Sequence, residues 1–517
     1  MKKIAIYAES ITAVQLDTLS TLAAQEPDNQ YFIHGTSLKS TAIEHVSEKA
    51  RFLDICGDAD DLMILADAEF KVDEKTLNSF YAHRLGDVWH MLPDGEIKRY
   101  RLNPRRKASV LLIFPGPILP LTLGSHQRAF NLLFNLSKQG VAVDLLITAP
   151  RNIPQSRFKT SLETFCNSVY FYKNNKKKFS KLQQYKRTIE IKARTTLGKA
   201  AELPDLFSER AKLRPTESCK RWANSLHMAN SYKSIIVSYA WMMDAVKYIK
   251  HDRGNFNLIC DTHDVQFTRN QQILDRKERL FYSASSEKRC ELEKLSICDS
   301  VLAISGSDEK ILAESLPKDV KVIKASSGFD YALSPIKRRP HGRPLAFGFI
   351  GGQMSANVKS LNHILEEWWP TIKKYSPDSK FYIAGSVCNA PSILPKTFFD
   401  NNIEALGFVD NISEFYDQID VSLNPVVVQG GLNFKSVEAV FAGKHLFTNP
   451  LGQECLGDDF PSTIISDKSD IQSFLKKYEF DINKDTGART HNQNKAKNLF
   501  SNKSVYHELF SYFSAQH

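Results

Sequence analysis

The chain has 517 residues, 42% of them apolar and 24% charged, with a formal net charge of +10. That length accommodates roughly three domains of about 150 residues each, and the composition is that of an ordinary globular protein. No run of about 18 uncharged apolar residues occurs, which excludes a hydrophobic spanning helix, and eight scattered cysteines without a CxxC argue for reduced thiols rather than a disulfide framework or a zinc site.

The N-terminus is briefly basic and then apolar, and Glu9 ends the apolar run too early for a signal peptide, so it reads as a first strand. The first block, residues 1–106, alternates strand and helix: strand Lys3–Tyr7, helix Thr12–Gln25, strand Gln30–His34, helix Thr41–Ala50, strand Asp61–Leu65. A charged helical stretch around Val72–Phe80 and the segment Asp87–Met91 follow. This alternation predicts a small α/β unit. The carboxylates Asp58, Asp60, Asp61 and Asp67 lie near strand ends, where a loop feature or a docking, oligomerisation or acceptor-binding role is expected. Lys98–Lys107 is polar and basic and reads as a linker.

The second block, 107–335, opens on an apolar strand, Ser109–Phe114, and a loop rich in proline and glycine that ends at Gly124. A helix from about Ser125 presents Phe130, Leu133, Phe134 and Leu136, and Gly140 stops it before the strand Val141–Ile147. Later strands are Ile235–Ser238, Leu258–Asp261, Ser300–Ile304 and Lys321–Ile323, with a long helix around Lys277–Leu295. Between Lys173 and Lys199 basic residues interleave with Phe179, Leu182, Tyr185 and Ile189. This insertion is either a basic amphipathic element for an anionic membrane surface or anionic acceptor, or a solvated basic helix. No nucleic-acid motif accompanies it.

The third block, 336–517, follows a connector rich in proline and arginine. Its strands are Ala346–Ile350, Lys380–Ala384 and Ile403–Leu406, each followed by glycine, with a helix over Ser360–Tyr375. The strand Val421–Pro425 then leads to Gly430-Gly431-Leu432-Asn433-Phe434-Lys435-Ser436-Val437-Glu438, a helix, and the strand His445–Thr448. Ligands of open α/β sheets bind beyond the carboxyl ends of strands, often at a helix N-terminus. Glycines let backbone N–H groups approach an anion. Lys435 can neutralise phosphate, and Glu438, one turn on, can accept hydrogen bonds from a sugar diol. The expected ligand is a nucleotide diphosphate bearing a sugar. Most strands are near-continuous apolar runs, as parallel strands buried on both faces are. The fold class expected is α/β: two Rossmann-like domains facing a cleft, a small N-terminal extension, and a last helix returning to the amino-terminal domain.

In this order the motifs resemble the retaining family 4 glycosyltransferases of the GT-B fold. The resemblance is carried by Gly124 and Arg128, by Asp261-Thr262-His263-Asp264-Val265 with Arg269, and by Cys298–Ser305. It continues in Ser326–Asp330, in Gly351 with Asn357, and in Gly431–Lys444. It implies transfer of a sugar from a nucleotide-diphosphate donor with retention of configuration, without metal or cofactor. The carboxyl-terminal domain would hold the donor and the amino-terminal domain a glycan or lipid-linked acceptor, in bacterial surface polysaccharide or glycoconjugate synthesis. Lys435, Glu438 and His263 would be catalytic. Gly124, Gly351, Asn357, Gly430, Gly431 and Asn433 would line the donor site with Lys435 and Glu438. Arg128, Asp264, Arg269 and Tyr239 would bind substrate. The protein would be cytoplasmic, peripheral at the inner face of the membrane. The chain departs from the family pattern at Gly430, where a carboxylate is common, and at Ser238-Tyr239-Ala240-Trp241, where a histidine is common; the usual Arg and Lys pair after the glycine strand is reduced to Lys359. A non-catalytic glycan-binding or scaffolding subunit of the same fold is the alternative.

Overall fold

The computed structural model describes residues 2–8, 11–35, 43–46, 49–66, 74–82, 85–102, 107–121, 123–148, 155–172, 215–251, 254–273, 284–328, 336, 343–395, 400–409, 412–427, 432–478 and 486–514. The basic insertion 173–199, Gly430, Gly431 and Asp67 lie outside the described residues. Two compact units are distinguished, one built on Met1–Gln184, Ser208–Asp261 and Ile297–Ser300, the other on Thr262–Ser296 and Val301–His517.

The first sheet has six strands: β1 (Lys3–Ala8), β2 (Gln30–His34), β3 (Ile43–His45), β4 (Asp61–Leu65), β5 (Asp87–Met91) and β6 (Ile97–Arg99), in the order β3-β2-β1-β4-β5-β6. Its helices are α1 (Ala13–Gln25), α2 (Lys49–Asp58) and α3 (Glu74–Phe80). Thr12 and Gln15 form a capping box that starts α1. Two expectations fail here. The helix read over Thr41–Ala50 is instead the short strand β3 followed by α2, because Ile43–His45 pairs with Tyr31–Ile33. The stretch read as a linker begins with β6, antiparallel to β5, where Arg99 pairs with Asp87 at 2.7 Å and covers the Trp89 ring. The carboxylates near β4 are tied to the chain's own groups: Asp61 to Lys2 at 3.1 Å, Asp60 to the Lys3 amide at 2.9 Å.

The second sheet has the order β13-β12-β11-β10-β7-β8-β9. Its strands are β7 (Val110–Phe114), β8 (Val143–Ile147), β9 (Ser168–Phe171), β10 (Ser234–Ser238), β11 (Asn257–Asp261), β12 (Ser300–Ala303) and β13 (Lys321–Lys324). Helices α4 (Gly124–Lys138), α5 (Gln155–Leu162), α6 (Glu217–Asn230), α7 (Gln266–Ile273), α8 (Ala284–Leu295) and α9 (Gly306–Ser315) intervene. All five residues of β7, β8 and β10 are buried, as near-continuous apolar runs favour, and the Asp144 that interrupts β8 accepts from Tyr232 and Asn167 at 2.8 and 2.9 Å.

The third sheet has the order β16-β15-β14-β17-β18-β19. Its strands are β14 (Ala346–Ile350), β15 (Lys380–Ala384), β16 (Ile403–Gly407), β17 (Val421–Leu423), β18 (His445–Thr448) and β19 (Thr463–Ile464). Helices are α10 (Ser355–His363), α11 (Trp369–Tyr375), α12 (Ile412–Gln418), α13 (Phe434–Phe441), α14 (Pro450–Leu456), α15 (Lys468–Tyr478), α16 (Thr486–Phe500) and α17 (Asn502–Ser514). Phe347, Phe381, Trp369, Phe447 and Phe474 pack one face of this sheet, each burial contributing roughly 1.5–3 kcal/mol. The helix read as one piece over Ser360–Tyr375 starts earlier and carries a π-turn at Ile364–Trp368. Pro370 causes it: without an N–H and with a ring that crowds the preceding turn, proline forces the helix to widen there.

Candidate active site

The tightest cluster of expected residues lies at the carboxyl ends of β14, β15 and β17. Gly351 ends β14, and its amide donates to Ala384 O at 3.0 Å. Gly385 follows β15 at φ +91°, and a Cβ there would fall 2.3 Å from Gly351 O, so only glycine lets these two strand ends close. Asn357, in the first turn of α10, donates from Nδ2 to Gly352 O at 2.9 Å and accepts from Lys435 Nζ through Oδ1 at 2.7 Å. The Lys435 ammonium also lies 4.7 Å from the centre of the Phe349 ring, a cation–π contact. Gly351, Asn357 and Lys435, the last 78 residues from Asn357 in the chain, are thereby brought together.

Helix α13 holds Lys435 and Glu438 on adjacent turns, both half-buried. Burial pulls the Lys435 ammonium down to about 8, opposed by Glu438. Burial likewise pushes the Glu438 carboxyl up to about 7, opposed by Lys435. Two ionisable groups short of solvent and of full neutralisation mark a site that gains from an added polar ligand.

Residues that the sequence reading passed over fix this helix. Asn424, buried just after β17, donates from Nδ2 to Asn433 Oδ1 at 2.8 Å and to Ser436 Oγ at 2.6 Å. Tyr416 Oη donates to Lys435 O at 3.4 Å. From α16, Gln493 Nε2 donates to Phe441 O at 2.9 Å at the other end of α13. An Asn-Pro pair ending a strand was the available signal for Asn424, but it reads as an ordinary turn.

The other expected residues stand as follows. Gly124 starts α4 and is exposed, and Leu123 before it supplies no side-chain cap, so the first amides of α4 lack a side-chain acceptor there. Arg128, on the same helix, is 2% exposed and donates from Nε and Nη2 to Asp261 Oδ1 at 2.9 and 2.5 Å. Tyr239 follows β10 at φ +71° and stacks on Trp241 at 5.2 Å. His263, two residues past β11, is buried at φ +60°. Positive φ at non-glycine residues past strand ends is strain of the kind found at functional sites. Asp264 pairs with Arg269 at 3.2 Å, so each is engaged by the other. Among the described residues no group of three or more His, Cys, Asp or Glu is arranged to hold a metal ion, and no helix is long and apolar enough to cross a membrane.

The N-terminus of α7, which follows the His263-Asp264 segment, is held by Glu291 of α8. Its Oε1 and Oε2 accept from the Gln266 and Phe267 amides at 3.0 and 2.9 Å. Burial pushes the Glu291 carboxyl up to about 8 despite these two donors. Between about pH 4.5 and 8 the folded state therefore keeps a proton that the unfolded chain releases, and stability falls as pH rises through that window. Glu291→Gln cannot titrate and offers one acceptor instead of two. It should be about 1 kcal/mol less stable than wild type near pH 5 and gain on it steadily toward pH 8. Urea unfolding at pH 5, 6.5 and 8 measures this; a constant offset would show that the carboxyl is ionised throughout.

Comparison with known proteins adds to this geometry. Residues 344–479, which span β14 to α15, match the family model described as glycosyl transferases group 1. No curated protein matches the chain. Among solved structures it is similar to HepE from Anabaena, determined with UDP and glucose, at 14% identity over 79% of this chain and 100% of that one, TM-score 0.51. Sucrose-phosphate synthase from Thermosynechococcus elongatus is similar at 11% identity over 79% and 98%, TM-score 0.55. TarM is similar at 12% identity over 79% and 99%, TM-score 0.53. At these identities the likeness shows the fold: parallel-sheet α/β, Rossmann-like, of the kind found in GT-B glycosyltransferases.

Proposed function

We propose that the protein is a retaining, metal-independent glycosyltransferase of the hexosyltransferase type and of family 4. It moves a sugar from a nucleotide-diphosphate donor to a glycan or lipid-linked acceptor, in bacterial surface polysaccharide or glycoconjugate synthesis on the cytoplasmic face of the membrane. The observation that carries this reading is the Lys435 cluster: a half-buried cation held by Asn357 and Phe349 at glycine-rich strand ends, inside the segment that matches the glycosyltransferase model. The complex of HepE with UDP supports a nucleotide donor.

In this mechanism the bond between the anomeric carbon and the diphosphate oxygen breaks while negative charge builds on the diphosphate. Lys435 stabilises that charge as it develops. Glu438 holds the donor ribose. The acceptor hydroxyl attacks from the face the diphosphate leaves, a carbon–oxygen bond forms, and its proton passes to the departing phosphate. In this reading His263, Asp264, Arg269 and Tyr239 serve the acceptor, Arg128 acts only through its pair with Asp261, and Gly124, Gly351, Gly430, Gly431 and Asn433 serve the donor. The glycine at 430 favours one second reading, a glycan-binding subunit without turnover. The test is a panel of nucleotide sugars, scored by thermal shift and by release of radiolabelled sugar, with the anomeric configuration of the product read by NMR. Inversion would overturn the mechanism, and glycan binding without turnover of any donor would favour the subunit.

A further inference from the structure

The segment 115–121 after β7 carries Pro115, Pro117 and Pro120, which have no N–H to give. Ile118, Leu119 and Leu121 are nonetheless buried. A buried loop must satisfy its remaining backbone groups, and the Leu121 amide does so by donating to Tyr81 O at 2.9 Å. Tyr81 belongs to the first sheet's layer, directly after α3. Its side chain is fully buried, with ring centres 6.5 Å from Phe130 of α4 and 6.2 Å from Phe165. Its hydroxyl bonds Ser161 O and Thr164 Oγ1, both at 3.1 Å. Burial raises its pKa, so it stays a neutral donor.

More bonds join the same two layers. Ser161 Oγ donates to Gly86 O at 2.9 Å, and the Leu102 amide donates to Thr164 O at 2.7 Å. Arg101 pairs with Glu163 at 2.9 Å, with both side chains largely shielded. Gly86 leaves no slack, since a Cβ there would lie 2.3 Å from the Phe80 ring. The first sheet is thus packed into the unit that carries β7 and α4.

We infer that the first sheet with α1, α2 and α3 forms a fixed buttress for the segment that follows β7, with Tyr81 as the positioning residue that seats this segment through its carbonyl and locks itself to α4 and α5 through its ring and hydroxyl. The consequence for turnover rests on the proposed function, in which this loop leads to the donor-side Gly124. The buttress itself does not.

Hydrogen exchange of the full-length chain tests it. Tyr81→Phe keeps the ring and carbonyl but removes the hydroxyl's two anchors. Exchange in the peptide covering 116–121 should accelerate about fivefold to tenfold, and kcat/KM for UDP-glucose hydrolysis should fall by a similar factor. Tyr232→Phe is the control. It also removes a buried hydroxyl bond in the same unit, to Asp144 Oδ2 at 2.8 Å, and should leave loop exchange and turnover unchanged at comparable loss of Tm. Unchanged loop exchange in Tyr81→Phe, or equal acceleration in Tyr232→Phe, overturns the buttress. Accelerated exchange with unaltered turnover confines it to stability and overturns the link to catalysis. Absence of turnover in wild type counts against the proposed function alone, and the exchange result still decides the buttress.

Discussion

Lys435→Ala lowers donor turnover by about 10²–10³ in kcat/KM, the usual cost of losing one pre-placed group that stabilises charge in a transition state, while leaving the fold intact. The ammonium is positioned before any ligand arrives, by Asn357 Oδ1 at 2.7 Å and the Phe349 ring at 4.7 Å. Its pKa near 8 leaves it charged by about ten to one at pH 7. A diphosphate would raise that pKa, so the group strengthens as charge builds. The half-buried stem makes the stability cost of truncation small, about 1 kcal/mol or less. Asn357→Asp is the companion variant: a carboxylate at 2.7 Å would hold the ammonium as an ion pair and compete with the diphosphate, so KM for the donor should rise more than kcat falls. Steady-state kinetics with radiolabelled donor, with Tm recorded for each variant, checks both. Wild-type rates in Lys435→Ala would remove Lys435 from the site.

How much of this was legible in the sequence follows from which contacts are local. The strands β7, β8, β10 and β14 announce themselves because each is a mostly apolar, mostly buried run. Strand β3 does not: Ile43-Glu44-His45 is three residues long, and only its pairing with β2 makes it a strand. The π-turn before Pro370 hides inside an otherwise helical pattern. Lys435 and Glu438 could be named from their i,i+3 spacing after two glycines. The partner of Lys435 could not be, because nothing in the chain near Asn357 points 78 residues ahead. Asn424 was invisible for the same reason, since its partners are set by where α13 lands after β17. The lock at Tyr81 joins residues 80 and 83 apart and belongs to the same class.

Arg128 shows the converse, a residue whose motif position pointed to substrate while its environment is interior. Two of its bonds go to one oxygen of Asp261, and the two side chains are 3% and 1% exposed. Removing one member of a buried ion pair strips the other charge of its counter-ion and costs about 3–5 kcal/mol, whereas replacing both by apolar groups of similar volume is close to neutral. Arg128→Met and Asp261→Leu should therefore each destabilise the protein strongly, and the double variant should recover most of the loss, a coupling that additivity between independent sites would not give. Urea unfolding of the four proteins measures it. A residue that binds acceptor would behave otherwise: Arg128→Met would keep its stability and raise the acceptor KM. The pair joins α4 to the end of β11, immediately before the strained His263. Its loss should disturb the chain there even though neither side chain faces solvent, so the recovered double variant should regain turnover together with stability if the pair acts only through the fold.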